Sequence, residues 1–190
     1  MLFTTAVLTS FVAATAFAHP SPEYKTTKAE APKTFGLITI RSGSGVQNSG
    51  VQASRGSLLV NLQSQNATCE KESNFATFFI ENEELKLYAA WAKPQTVYVD
   101  RSGMGQGKIG YSSCAEVSLP RNAETKGWKI TDGGLTFGDN GVQACPGALD
   151  GGWSLWLTGV AKPGGLENCV GVNAKVIDTT TPVGCRYTES

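Results

Sequence analysis

An internal repeat constrains this chain more than any single motif does. The apolar residues of FFIENEELKLY, Phe78, Ile80, Leu85 and Leu87, recur fifty positions later in WKITDGGLTFG as Trp128, Ile130, Leu135 and Phe137. Each copy is two apolar pairs separated by a polar turn, the pattern of a β-hairpin. A second echo links GVQASRG at 50–56 to GVQACPG at 141–147, and TVYVDRSG takes the same place between them. The chain thus divides into three units of roughly 45–50 residues, each made of four short strands. Three such units predict an all-β fold, a β-trefoil-like barrel whose hairpins close on one another and remove exposed edges. A β-sandwich of similar strand count is the alternative.

The rest of the pattern agrees with an all-β chain. Short β-type runs such as GLITIR, SLLVNL, KIGYS and VGVNAKVI are bounded by Gly, Asn, Asp, Ser or Pro. No window carries a long amphipathic helix. Twenty-two glycines and only 17% charged residues suit many strands joined by tight turns. Alternation assigns sides: in WSLWL, Trp153, Leu155 and Leu157 share one face, with Ser154 and Trp156 on the other. In TVYVD, Val97 and Val99 point inward, which sends Tyr98 and Asp100 outward.

Both termini and the cysteines speak to location. Residues 1–18 are an uncharged apolar run ending Ala16-Phe17-Ala18, read as a secretory signal peptide cleaved before His19. Residues 19–33, with three prolines and almost nothing apolar, read as a flexible arm. Residues 34–190 then form one disulfide-containing domain. No later stretch is apolar enough to cross a bilayer, so no membrane association is expected. Sixteen basic residues balance sixteen acidic ones, which leaves no electrostatic footprint for nucleic acid. Five cysteines in an exported chain predict two disulfides and one further thiol among Cys69, Cys114, Cys145, Cys169 and Cys185. Asn66-Ala67-Thr68 is a sequon on a polar stretch and predicts an N-glycan at Asn66.

Catalytic chemistry finds little support. The loop SGMGQGK imitates a phosphate-binding loop, yet Ser102 stands where the first glycine belongs and Ile109 where the magnesium-binding hydroxyl belongs. It reads as a glycine-rich turn, in which the Asp100 carboxylate accepts bonds from Ser102 and nearby amides. The one histidine, His19, lies at the predicted mature N-terminus and has no second histidine with which to hold copper or zinc. Its isolation also removes nucleophile–histidine mechanisms. Glu81, Glu83, Glu84, Asp100, Asp132, Asp139 and Asp150 fall in predicted turns, where solvation explains them without a glycosidase pair. Neither a catalytic residue nor a metal or other cofactor is expected. Aromatic rings are the better candidates for recognition: Trp91, Tyr98 and Trp156 are the possible carbohydrate contacts. Cys114, as the extra thiol, is a possible link in a covalent dimer.

The segments DRSGMGQGKIGY, KGWKI, the ACP at Cys145 and the opening FGLITIRSGS closely resemble the PhiA family of fungal cell-wall proteins, from about Phe35 to the C-terminus. The resemblance implies a secreted, glycosylated wall protein of filamentous ascomycetes, tied to phialide and conidium development and to stress protection. It implies no enzymatic activity. Its partners would be wall polysaccharide or other wall proteins. Cys69, Cys145, Cys169 and Cys185 look like the family's recurring cysteines, and Cys114 looks like an addition of this chain. A wall-polysaccharide-binding, lectin-like module is the alternative function, and a glycoside hydrolase a third.

Overall fold

The structure, a computed structural model, describes residues 33–113 and 119–189. The signal segment, His19, nearly all of the arm and Cys114 lie outside the described residues. The first part of the described chain forms β1 (Thr34–Ile40), β2 (Ser49–Ser54), β3 (Ser57–Val60), the short β4 (Thr68–Cys69) and β5 (Phe78–Glu81). Next come β6 (Glu84–Leu87), β7 (Gln95–Asp100), β8 (Lys108–Ser112), the short β9 (Ala123–Glu124) and β10 (Trp128–Thr131). The last part holds β11 (Gly134–Phe137), β12 (Val142–Cys145), β13 (Trp153–Leu157), β14 (Val170–Asp178) and β15 (Cys185–Arg186). Among the described residues the only helical pieces are single 3₁₀ turns at Leu149–Gly151 and Pro163–Gly165.

Antiparallel pairing runs β1–β5–β6–β7–β8–β3–β13–β12–β14 and returns to β1, which closes a nine-strand barrel. The all-β barrel expected from the repeat is therefore present, and the open two-sheet alternative is not. The pairings are also compatible with three four-strand units. First strands β1, β6 and β11 begin at Thr34, Glu84 and Gly134. The two middle strands of each section form a hairpin, and the second members of those hairpins, β3, β8 and β13, pair with one another. β5 pairs with β6, β10 with β11, and β14 with β1.

Local chemistry explains the repeated hairpins. Two-residue turns between twisted strands need positive φ at both central positions. Asn82 and Glu83 supply this between β5 and β6 at 52° and 64°, as Asp132 and Gly133 do between β10 and β11 at 51° and 74°. The turns set the register, so Phe78 faces Leu87 and Trp128 faces Phe137. All four are buried in one core that also takes Leu37, Leu85, Leu135, Val97 and Val99. Ile130 departs from the pattern of its counterparts: it is 47% exposed beside the turn.

Two disulfides tie this core together, Cys69–Cys185 and Cys145–Cys169. The first joins β4 to β15, where the two cysteines are direct ladder partners. Beyond it the C-terminal strand is stitched to the barrel. Gln95 bonds both main-chain groups of Tyr187 at 2.8 and 3.0 Å, and the Tyr187 hydroxyl accepts from Thr77 N–H at 3.2 Å. The Tyr111 hydroxyl donates to Thr188 O, and its ring meets Tyr187 edge-on at 6.3 Å.

Burial makes these phenols reluctant acids. It pushes Tyr187 up to about 12, and it drives Tyr111 and Tyr98 above the ordinary tyrosine range, with Asp100 and then Glu189 adding to the effect at Tyr98. An unfolded tyrosine ionises near pH 10 while the folded one keeps its proton, so above about pH 10 the unfolded state binds fewer protons. This contribution to stability is complete below pH 10 and declines above it, for Tyr187 by about 1.4 kcal/mol per pH unit between about 10 and 12. Spectrophotometric titration is expected to show phenolate from Tyr111 and Tyr187 only well above pH 10 while the barrel stays closed. Reversible ionisation of every tyrosine near pH 10, with the far-ultraviolet signal intact, would contradict it.

Candidate functional site

The turn between β7 and β8 is a built loop. Asp100 Oδ1 accepts Ser102 N–H at 2.9 Å, and Ser102 Oγ accepts Gly105 N–H at 3.1 Å. Main-chain bonds from Gln106 to Ser102 and from Gly107 to Asp100, at 2.8 and 2.7 Å, close it. Only glycine fits at position 105, because a Cβ there would fall on the Asp100 carboxyl. Lys108 follows as the first residue of a strand rather than of a helix. The loop is a turn, with no helix N-terminus behind it to receive phosphate.

Residues 101–103, 106 and 107 form one wall of a groove of about 440 Å³, and residues 157–160 form the other. Leu157 N–H donates to Gly107 O at 2.8 Å, and Gly164 N–H to Gln106 Oε1 at 2.8 Å, so the two walls are fastened together. Met104 stands at the tip, 93% exposed, and Val160 is partly exposed on the other side. The one ionic group in the lining is Arg101. Its guanidinium makes a two-pronged pair with Glu124 at 2.6 and 2.8 Å and lies 5.5 Å over the Phe137 ring. Arg101 in turn holds the Glu124 carboxyl below its usual range.

The three aromatic candidates do not converge. Trp91 is 52% exposed in the loop before Pro94. A smaller cavity of about 140 Å³ lies beside that loop, between Ala89, Lys93, Gln95 and Arg186. Tyr98 corrects the expectation of an outward ring: it is only 8% exposed. Its ladder partner is Gly110, and a Cβ there would sit 2.6 Å from the ring, so the tyrosine fills the hollow that the glycine leaves. Trp156 does lie on the face opposite Leu155 and Leu157, but it is half-buried. Gly164 covers its ring, and its Nε1 donates to Ser154 Oγ at 2.8 Å.

Asn66 is exposed with φ 51°, and Thr68 is exposed on β4. Most of the carboxylates considered for catalysis have local partners. Glu81 and Glu84 pair with Lys86, Asp139 with Lys129, and Asp100 belongs to the turn. Asp132 and Asp150 occupy turn positions of positive φ. Among the described residues no three His, Cys, Asp or Glu side chains gather as a metal site would require. Sequence reasoning missed the groove, because residues 101–107 and 157–160 come together only through pairing between hairpins.

A family model described as PhiA-like secreted protein matches residues 35–188. The chain belongs to the PhiA-like secreted protein family. It is 48% identical over 159 residues to the cell wall protein phiA of Emericella nidulans, covering 82% of this chain and 87% of that one. It is 46% identical over 183 residues to the cell wall protein phiA of Aspergillus niger, covering 95% and 96%. The Aspergillus fumigatus protein of the same name is 47% identical over 165 residues, covering 85% and 89%. No solved structure matches the chain. This PhiA-like chain is therefore a secreted protein with its place outside the cell, at the wall. Among its described residues, no helix is long and apolar enough to cross a membrane.

Proposed function

We propose that this PhiA-like protein is a non-catalytic structural and protective component of the fungal wall, held there by surface contacts with wall polysaccharide. It serves phialide and conidium development and resistance to stress. Its first eighteen residues are removed on export, and Asn66 carries an N-glycan. The observation that carries the reading is the family match across residues 35–188, with relatives named cell wall proteins. The chemistry supports it. Two disulfides and a closed barrel give a durable body, and ion pairs or turn hydrogen bonds engage Glu81, Glu84, Asp100 and Asp139. Trp91 offers an exposed flat ring of the kind that stacks on sugar faces.

The test incubates the purified mature protein with isolated wall glucan and chitin, and reads both the protein retained in the pellet and the sugar released. Retention without released sugar is the expected outcome. Release of oligosaccharide would turn the reading toward a glycoside hydrolase, and absence of retention would leave wall proteins as the partners. An endoglycosidase mobility shift that vanishes in Asn66→Gln checks the glycan. Cys114 is the cysteine left over from the two bridges, and we include a Cys114-linked dimer in the proposal. Non-reducing electrophoresis of Cys114→Ser against the parent tests it, and identical migration removes it.

A further inference from the structure

We propose that the groove between residues 101–107 and 157–160 is the site that binds wall polysaccharide, and that its ligand is an uncharged chain of pyranose sugars. The proposal rests on the polysaccharide-binding reading above and assigns it a place. Size comes first. The groove, at about 440 Å³, falls within the range of about 300–1,000 Å³ typical of small-ligand sites, whereas the cavity beside the Trp91 loop, at about 140 Å³, falls below it.

Rigidity comes second. Asp100 and Ser102 fix the turn, and bonds from Leu157 to Gly107 and from Gly164 to Gln106 hold the facing wall against it. A surface already ordered loses little conformational freedom when a sugar chain settles on it.

Charge also favours a neutral ligand. Arg101 already has its carboxylate in Glu124 and its aromatic face in Phe137, so a phosphate or uronate would have to compete with both. What remains in the lining is neutral. The main-chain N–H groups of Gly103 and Gly159 have no hydrogen-bond partner among the described residues. Ser102 Oγ accepts from Gly105 and retains its own O–H to donate. Fixed neutral donors suit sugar hydroxyl and ring oxygens. Val160 adds exposed apolar surface to the lining, complementary to the C–H faces of a pyranose.

The glycines also provide the test. A Cβ at Gly103 meets nothing within 4 Å, and the residue does not have positive φ, so Gly103→Leu fills the groove without straining the fold. The probes are soluble β-linked oligomers of glucose and of N-acetylglucosamine, titrated into the labelled mature protein. The expected result is movement of the Gly103, Gly105, Gly107 and Gly159 amide resonances, and affinity about tenfold or more weaker in Gly103→Leu at unchanged melting temperature. The surface change Val160→Ser, in the opposite wall, serves as the second variant and is expected to weaken binding in the same direction. Binding that survives both groove variants and disappears in Trp91→Ala would remove the groove and keep the polysaccharide reading. Wild-type protein that binds neither the oligomers nor insoluble glucan and chitin would remove both. Tighter binding of an acidic oligosaccharide would overturn the assignment of an uncharged ligand.

Discussion

Replacing Cys69 and Cys185 together by alanine is expected to lower the free energy of unfolding by about 5 kcal/mol, and replacing Cys145 and Cys169 by about 3.5 kcal/mol. The difference comes from loop length. The first bridge spans 116 residues and the second 24, and the entropy that a crosslink removes from the unfolded chain grows with the logarithm of the loop it closes. Position adds to length in the first case. Cys185 is fully buried, and its bridge anchors the strand from which Tyr187 and Thr188 bond to Thr77, Gln95 and Tyr111. Without it, Tyr111 and Tyr187 are expected to ionise closer to pH 10, because the burial that raises them depends on that strand. Equilibrium urea unfolding of the two double variants measures the effect. Equal losses, or a larger loss for the 24-residue loop, would show that strain or residual unfolded structure outweighs loop entropy here.

What the sequence discloses about this barrel depends on the distance over which each feature is decided. Hairpins are local, so the fifty-residue offset between Phe78–Leu87 and Trp128–Phe137 was enough to place two of them and their turns. Strand alternation is local too. It put Leu155 and Leu157 inside and Trp156 with Ser154 outside, and the indole bond to Ser154 follows from that shared face. Tyr98 shows where alternation stops. Alternation sets it on the side opposite Val97 and Val99, yet the ring is covered because the residue across the ladder is Gly110. Burial on an outer face depends on the partner strand, which the pattern of a single strand does not contain.

Longer-range features were less legible still. Cysteine pairing required the register of β4 against β15, set by contacts between segments 116 residues apart. The groove required β8 and β13 to meet, which brings the glycine-rich turn of one section against the Thr158–Gly159 corner of another. The long segment DRSGMGQGKIGY carried the family resemblance without revealing its role. Its Asp100, Ser102 and Gly105 hold the shape of the turn, while Gly103 and Met104 face outward from it.

Trp128→Ala is expected to destabilise the protein by about 3–5 kcal/mol, whereas Trp128→Phe should cost less than about 1.5 kcal/mol. Trp128 is 1% exposed, sits edge-on to Phe137 at 5.1 Å and begins the hairpin whose main chain bonds to Glu83. Alanine would empty a volume that the closed barrel has no loose element to refill. Phenylalanine keeps most of the ring contact. It also removes Nε1–H, which is buried with no hydrogen-bond partner among the described residues, so little polar interaction is lost with it. The fold itself argues that a smaller ring fits: fifty residues earlier, at the same point of the β5–β6 hairpin, Phe78 is fully buried and stacks on Phe35 at 6.1 Å. Urea unfolding followed by circular dichroism compares the two variants without relying on indole fluorescence. Equal losses in the two would mean that the indole nitrogen contributes a bond the ring cannot replace, and that the core of the β10–β11 hairpin is not interchangeable with that of the β5–β6 hairpin.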